Sequence, residues 1–264
     1  MKKRRRIFVS LIAIILLVIL IIGANIFVGR QPIDKVVVSV SYGNSDTIIS
    51  SESIRLDLIS RFGDLSQKNI KDVDADEVEK FLKSQPYIED AEVYLNFTGK
   101  VKITITQAVP ILRLYSRNGM QFYIDRVGKI INIKDDALSD VVIASGDIII
   151  NTALLSKGRL DTIDIDSKKG VEKTASSLYY LALKLYNDTI LAYQIDQIYI
   201  PNQSEFEFFP KIGDYTIKVG DINNLEEKFN KLNYLYKEAF SVIGWDNYSV
   251  VNLCYKDQVV CTRK

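Results

Sequence analysis

Glu89-Asp90-Ala91-Glu92-Val93-Tyr94-Leu95-Asn96-Phe97-Thr98-Gly99-Lys100-Val101-Lys102-Ile103-Thr104-Ile105-Thr106 is the stretch that decides the fold. Ala91, Val93 and Leu95 fall on one side of its first half, and in its second half Val101, Ile103 and Ile105 alternate with Lys102, Thr104 and Thr106. A strand turns successive side chains to opposite faces, so this alternation reads as two half-buried strands joined through Phe97-Thr98-Gly99-Lys100. Working backwards, Pro86 must end a helix that opens at Asp74, with Glu77 in the capping-box position and Val78, Phe81 and Leu82 as its apolar face. Residues 50–62 put Ile54, Leu58, Ile59 and Phe62 on one helical face, and Gly63 stops that helix. Asn44-Ser45-Asp46 is a turn cluster, and residues 35–40 form a β-branched strand. The order strand, helix, helix, strand, strand predicts a small α+β domain over residues 33–107.

Ahead of that domain, residues 7–28 form an apolar run of 22 residues without a charge. At about 1.5 Å per residue, a helix of this length crosses a hydrocarbon layer of ~30 Å. The apolar core of a cleaved signal is shorter and ends at small residues, whereas Gly23-Ala24-Asn25 is followed by Ile26, Phe27 and Val28. The run therefore reads as an uncleaved anchor. Residues 2–6 are all basic and face only Arg30 and Lys35 beyond the run. The positive-inside bias then keeps residues 1–6 cytoplasmic and exports the rest of the chain.

Six of the 34 basic residues and none of the 33 acidic ones precede Asp34, so the exported part is net negative by five. Without a basic stripe it has no footprint for nucleic acid. The chain holds no histidine, which removes His-dependent triads and His metal sites. Glycines stand singly at turns, so there is no phosphate-cradling loop and no cofactor is expected. Downstream, residues 111–115, 120–124 and 129–133 read as a strand meander turned by Asn118-Gly119 and Val127-Gly128, with Ser145-Gly146-Asp147 closing the section. Residues 170–186 form a long amphipathic helix with Leu178, Leu181, Ala182 and Leu185 inside. Strands are expected at 194–200, 205–209 and 215–219, and a second long helix near Asp221 carries Leu225, Phe229, Leu232, Leu235 and Tyr236. Two alternating strands close the chain, 248–255 and 258–262, separated by Lys256-Asp257.

Gln85-Pro86-Tyr87-Ile88-Glu89-Asp90-Ala91-Glu92-Val93, followed by Val101-Lys102-Ile103-Thr104-Ile105-Thr106-Gln107-Ala108-Val109-Pro110-Ile111, resembles the POTRA domain of the FtsQ/DivIB cell-division family as it passes into the next domain. Gln107 stands where that family commonly has an acidic residue, and Asn96-Phe97-Thr98-Gly99 replaces its Pro-bearing turn. Phe122-Tyr123-Ile124-Asp125-Arg126-Val127-Gly128-Lys129-Ile130 is similar to the family's Y-x-I-D-x-x-G hairpin. Val251-Asn252-Leu253-Cys254-Tyr255 is similar to its late I-D-L-R-Y strand. The resemblance implies an N-terminal transmembrane helix, a POTRA-like domain, and a larger mixed β domain over residues 108–264 with two long helices. It further implies a non-enzymatic scaffold of the inner membrane at the division septum, with its body periplasmic. The partners it implies are FtsB/FtsL-type (DivIC/FtsL-type) coiled-coil proteins, bound by strand addition to help control septal peptidoglycan synthesis. A Pro-free strand at a sheet edge has unpaired backbone groups that recruit another strand. On that reading Val259, Val260, Cys261, Thr262 and Arg263 pair with the partner, with Tyr255 and Trp245 packing nearby.

Other motifs carry less. Asp72-Val73-Asp74-Ala75-Asp76 begins like a calcium loop but lacks the required Gly and the closing Glu, and it reads better as acidic residues at a helix N-terminus. No His stands ready to activate Ser145, and no G-x-S-x-G elbow is present. A spatial pair of carboxylates for glycan hydrolysis leaves no trace in sequence, so a membrane-anchored envelope hydrolase or transferase is the alternative of a different class. A POTRA-bearing export or outer-membrane assembly factor is the other, though only one such unit and no barrel-length run of strands is present. Cys254 and Cys261 face each other, and form a candidate disulfide, if Asp257-Gln258 is a two-residue hairpin loop. Asp-Gln is not a favoured pair there, so the register stays open. Asp46-Thr47-Ile48, Asp161-Thr162-Ile163 and Asp188-Thr189-Ile190 match an envelope O-glycosylation signal at Thr47, Thr162 and Thr189.

Overall fold

A computed structural model describes residues 2–43, 47–132, 140–202 and 204–264. The chain opens with helix α1 (Lys2–Gly29), whose segment Leu11–Gly29 is long and apolar enough to cross a membrane. Two compact units follow from the backbone contacts, Met1–Gly43 with Thr47–Gln107, and Ala108–Lys264. The expected turn at Asn44-Ser45-Asp46 and the last residue of the strand expected at 129–133 lie outside the described residues.

In the first unit, β1 (Lys35–Ser41) is followed by α2 (Ser51–Phe62), α3 (Ala75–Ser84), β2 (Ile88–Leu95) and β3 (Lys100–Gln107). The sheet order is β1-β3-β2, with β1 parallel and β2 antiparallel to β3. The alternation in β3 turns Val101, Ile103 and Ile105 inward against Ile54 and Leu58 of α2 and Val78 and Leu82 of α3, all buried. Phe62 and Phe81 meet edge to face at 5.3 Å and tie the two helices together. Asp74 caps α3 by accepting from the Asp76 and Glu77 amides. A reciprocal capping box is formed instead by Ser50 and Ser53 at α2. The β2–β3 turn requires glycine: Gly99 has φ +78°, and a Cβ there would stand 2.5 Å from the Pro32 carbonyl oxygen.

The second unit runs β4 (Pro110–Tyr115), β5 (Gln121–Asp125), β6 (Ile130–Asn132), β7 (Val142–Gly146), α4 (Thr152–Lys157), α5 (Gly170–Asn187), α6 (Leu191–Gln194), β8 (Ile195–Asn202), β9 (Glu205–Pro210) and β10 (Thr216–Gly220). It ends with α7 (Leu225–Tyr234), a π-helical segment (Leu235–Ala239), α8 (Phe240–Ile243), β11 (Tyr248–Asn252) and β12 (Val260–Arg263). Its sheet has nine strands in the order β12-β11-β10-β9-β8-β7-β4-β5-β6. The pairs β4–β7, β7–β8 and β10–β11 are parallel. The registers align Phe122, Leu114, Ala144, Ile198, Phe208, Ile217, Val251 and Cys261 as one cross-strand row. The first seven are buried to within 1% and pack in one cluster with Leu178, Leu181 and Leu185 of α5 and Phe229 and Leu232 of α7.

The Y-x-I-D-x-x-G hairpin has a local physical cause. Asp125 is fully buried, and its Oδ1 accepts from the backbone amides of Val127 (3.0 Å) and Lys129 (2.7 Å). Gly128 supplies the left-handed residue at φ +84°. Tyr179 of α5 donates its hydroxyl to the Arg126 carbonyl at 3.0 Å, and burial pushes that phenol's pKa up. Three elements escaped the sequence reading, namely β7, α4 and α6. The helix expected near Asp221 begins at Leu225 and continues through the π segment to Ile243.

Candidate functional site

The closing hairpin differs from its expectation in length and register. β11 ends at Asn252 and β12 begins at Val260, so the connection is residues 253–259 instead of a tight turn. Asn252 pairs with Val260, Val251 with Cys261 and Val250 with Thr262. Cys254 therefore lies in the connection, exposed, with its thiol 3.8 Å from the Lys218 carbonyl. Cys261 stands opposite Val251 at the end of the buried row, where burial raises its thiol's pKa. Both are free thiols in the structure, and this register does not set them opposite each other.

Among the described residues β12 is the outermost strand at one end of the nine-stranded sheet. It is four residues long, Pro-free, and paired on one side with β11. Alternate residues of an antiparallel edge strand aim their N–H and C=O groups away from the sheet, which is the geometry that accepts a further strand. The residues expected at a partner surface divide into two sets. Val260 (40% exposed), Tyr255 (49%), Thr262 and Arg263 are open to solvent, whereas Val259 and Cys261 pack partly buried against the core. Tyr255 sits in the connection and not on a strand.

Trp245 belongs to an aromatic cluster at the base of β11. Phe240 is its centre, with ring centroids 5.5 Å from Tyr215, 5.6 Å from Tyr236, 5.8 Å from Trp245 and 6.2 Å from Tyr248. The Tyr215 and Tyr236 hydroxyls share a buried hydrogen bond of 2.9 Å. Burial pushes both phenols above their ordinary pKa. The sequence marked Trp245 for a binding role; the structure packs it, partly buried, against Tyr236 and Phe240 just before β11.

The connection is held from α7, which sequence reasoning missed. Lys231 Nζ donates to the carbonyls of Tyr255 (2.7 Å) and Leu253 (3.1 Å) and to Glu227 Oε1 (3.0 Å). Glu227 Oε1 in turn accepts from the Asp257 amide at 3.3 Å, and the bond from Lys231 holds its carboxyl below the usual range. An i,i+4 Glu–Lys pair is an ordinary helical feature, and no pattern in sequence shows which backbone it grips.

The remaining candidate residues have local explanations. Asp161 Oδ1 accepts from the Ile163 amide, and Asp188 Oδ1 from those of Ile190 and Leu191, so these two Asp-Thr-Ile tripeptides are aspartate-capped turns. Thr47 and Thr189 are exposed and Thr162 is half-buried, and Asp46 lies outside the described residues. Of the calcium-like stretch, Asp74 is a helix cap and Asp72 accepts from the Asn69 side chain. Among the described residues no group of three or more His, Cys, Asp or Glu side chains could hold a metal. An open cleft of the second unit is lined by Thr162, Asp164, Asp166, Tyr180 and Asn223. Its two carboxylates are solvent-exposed, so nothing there desolvates a general acid.

Residues 109–262 match the family described as FtsQ/DivIB, C-terminal related, and residues 33–106 match the POTRA-like domain. The chain belongs to the FtsQ/DivIB family. No curated protein matches it. The fold is the mixed α+β arrangement of that family, with one N-terminal apolar helix, a POTRA-like domain and a larger β-rich domain. Family membership makes it a division-related protein with a periplasmic scaffold domain, and the apolar helix fits a single-pass membrane anchor.

Proposed function

We propose that this FtsQ/DivIB-family chain is a non-enzymatic scaffold that captures an FtsB/FtsL-type (DivIC/FtsL-type) coiled-coil partner by strand addition to β12. Its basic residues 2–6 stay in the cytoplasm, α1 spans the inner membrane, and both folded units stand in the periplasm at the septum. Capture of the partner helps control septal peptidoglycan synthesis. The observation that carries this reading is the edge position of β12, a short Pro-free strand bordered by the exposed Val260, Thr262 and Arg263. Main-chain pairing gives such a complex its affinity, while Val260 and Tyr255 give selectivity for apolar partner side chains.

The test is a pull-down from detergent-solubilised membranes with the full chain and with a chain ending at Val259. The full chain is expected to retain two small bitopic coiled-coil proteins and the shortened chain to lose them. Equal retention by both places the partner surface elsewhere and overturns the edge-strand reading. Failure of the full chain to retain any such pair overturns the scaffold reading.

A further inference from the structure

Residues 253–259 hold no secondary structure, yet their backbone is anchored at three points to one helix. Lys231 Nζ binds the Leu253 and Tyr255 carbonyls, and Glu227 binds the Asp257 amide. The Lys231 side chain is 14% exposed, so its ammonium group is largely screened from water and depends on these acceptors. α7 is a firm platform for this grip. Leu225, Phe229 and Leu232 sit in the core, and the buried Lys228 ties the first turn to the Asp221 carbonyl (2.8 Å) and carboxylate (3.0 Å).

The anchoring bears on the hairpin register. Continued past Asn252–Val260, the ladder would pair Leu253 with Val259 and Cys254 with Gln258, leaving Tyr255-Lys256-Asp257 as a three-residue loop. Such loops use a left-handed residue at their third position, and Asp257 already has φ +55°. The chain could thus zip further, but the two amides that would do so are taken elsewhere: the Cys254 N–H of the next hydrogen-bonded rung donates to Asn252 Oδ1 (2.9 Å), and the Asp257 N–H of the loop's turn donates to Glu227 (3.3 Å).

We propose that the Glu227–Lys231 pair is a positioning device for β12: it keeps the Asp257 amide out of the turn that would extend the β11–β12 ladder and holds Tyr255 at the end of the edge strand. The inference rests on the edge-strand reading of function and adds to it the residues that set the shape of the edge. Glu227 and Lys231 act through the backbone of residues 253–257 and are positioning residues, not contacts of the partner. Without them the hairpin loses its fixed end, and the strand a partner must match becomes an ensemble of lengths.

Hydrogen exchange on the full chain in detergent tests this independently of any partner. Lys231→Met keeps the stem and removes the ammonium group; Lys231→Arg keeps the charge and donors. Exchange at the Asp257 amide should speed by about tenfold or more in Lys231→Met, because Glu227 loses the ammonium group that aims its carboxylate at that amide and the Leu253 and Tyr255 carbonyls lose their anchor. Lys231→Arg should restore most of the protection. The urea midpoint read by Trp245 fluorescence should stay at the wild-type value in both, and capture of the coiled-coil pair should fall in Lys231→Met alone. Unchanged exchange at residues 254–259 in Lys231→Met overturns the positioning role. So does faster exchange accompanied by a lowered midpoint and full partner capture, which is the signature of a merely structural contact. If the wild-type chain captures no partner, the functional reading fails while the exchange result still decides the clamp.

Discussion

Replacing Phe240 with alanine should unfold the second unit at a much lower urea concentration. Phe240 is 2% exposed and lies within 6.2 Å, centroid to centroid, of Tyr215, Tyr236, Trp245 and Tyr248. Truncating a buried phenylalanine costs about 3–5 kcal/mol through lost transfer energy and the cavity left behind. Domains of this size are stable by only ~5–15 kcal/mol, so the loss is a large share of the total. With a urea dependence of about 2 kcal/mol per molar, the midpoint should fall by about 2 M. Phe240→Leu fills most of the space but loses the edge-to-face contacts, and should fall by about 0.5–1 M. The assay is intrinsic fluorescence of the full chain in detergent, because Trp245 is the chain's only tryptophan and its centroid is 5.8 Å from Phe240. A midpoint for Phe240→Ala within about 0.5 M of wild type, the scale of an ordinary surface change, would refute the claim that this cluster organises the base of β11.

Gln107 is fully buried and its Oε1 accepts from the Ile48 (2.8 Å) and Ile49 (3.1 Å) amides, so Gln107→Leu should lose about 2–4 kcal/mol of first-unit stability and expose both amides to rapid hydrogen exchange. The paired phenols of Tyr215 and Tyr236 have folded-state pKa values raised by burial, so their contribution is intact below the unfolded value near 10 and is lost as pH rises above it. Ultraviolet titration should show two tyrosines ionising only on alkaline unfolding, and early ionisation of all fifteen would contradict the packing. Replacing the five basic residues 2–6 with glutamine should weaken the orientation bias and leave a fraction of chains with the body protected from protease added to spheroplasts; an unchanged pattern would show that something else sets topology.

Elements whose own residues carry the pattern were legible in the sequence. β3 alternates because one face meets α2 and α3, and α5 shows its leucine stripe because one side covers the sheet. β7 was missed because a central strand, Val142-Ile143-Ala144-Ser145-Gly146, paired in parallel on both sides, shows no alternation, and Ser145-Gly146 looked like a stop. α4 is six residues long, too short for a period to emerge. The edge strand was legible at the candidate site, but its length was not. The closing strands read as reaching Tyr255 because residues 248–255 are locally strand-like. They stop at Asn252 because its own side chain takes the Cys254 amide and Glu227, 30 residues earlier in the chain, takes that of Asp257. The register is a separate matter: Asn252 pairs with Val260 and Val251 with Cys261, so Cys254 and Cys261 are not opposite each other.

The central claim is that the outward backbone of β12 receives a partner strand, and proline substitution at two consecutive positions tests it most directly. Cys261 and Thr262 are neighbours in β12, so one directs its N–H toward β11 and the other away from the sheet. Proline at either site removes one N–H. The account predicts that one of Cys261→Pro and Thr262→Pro lowers the Trp245 urea midpoint, while the other leaves it in place and abolishes capture of the coiled-coil pair. Full capture by both variants would contradict it.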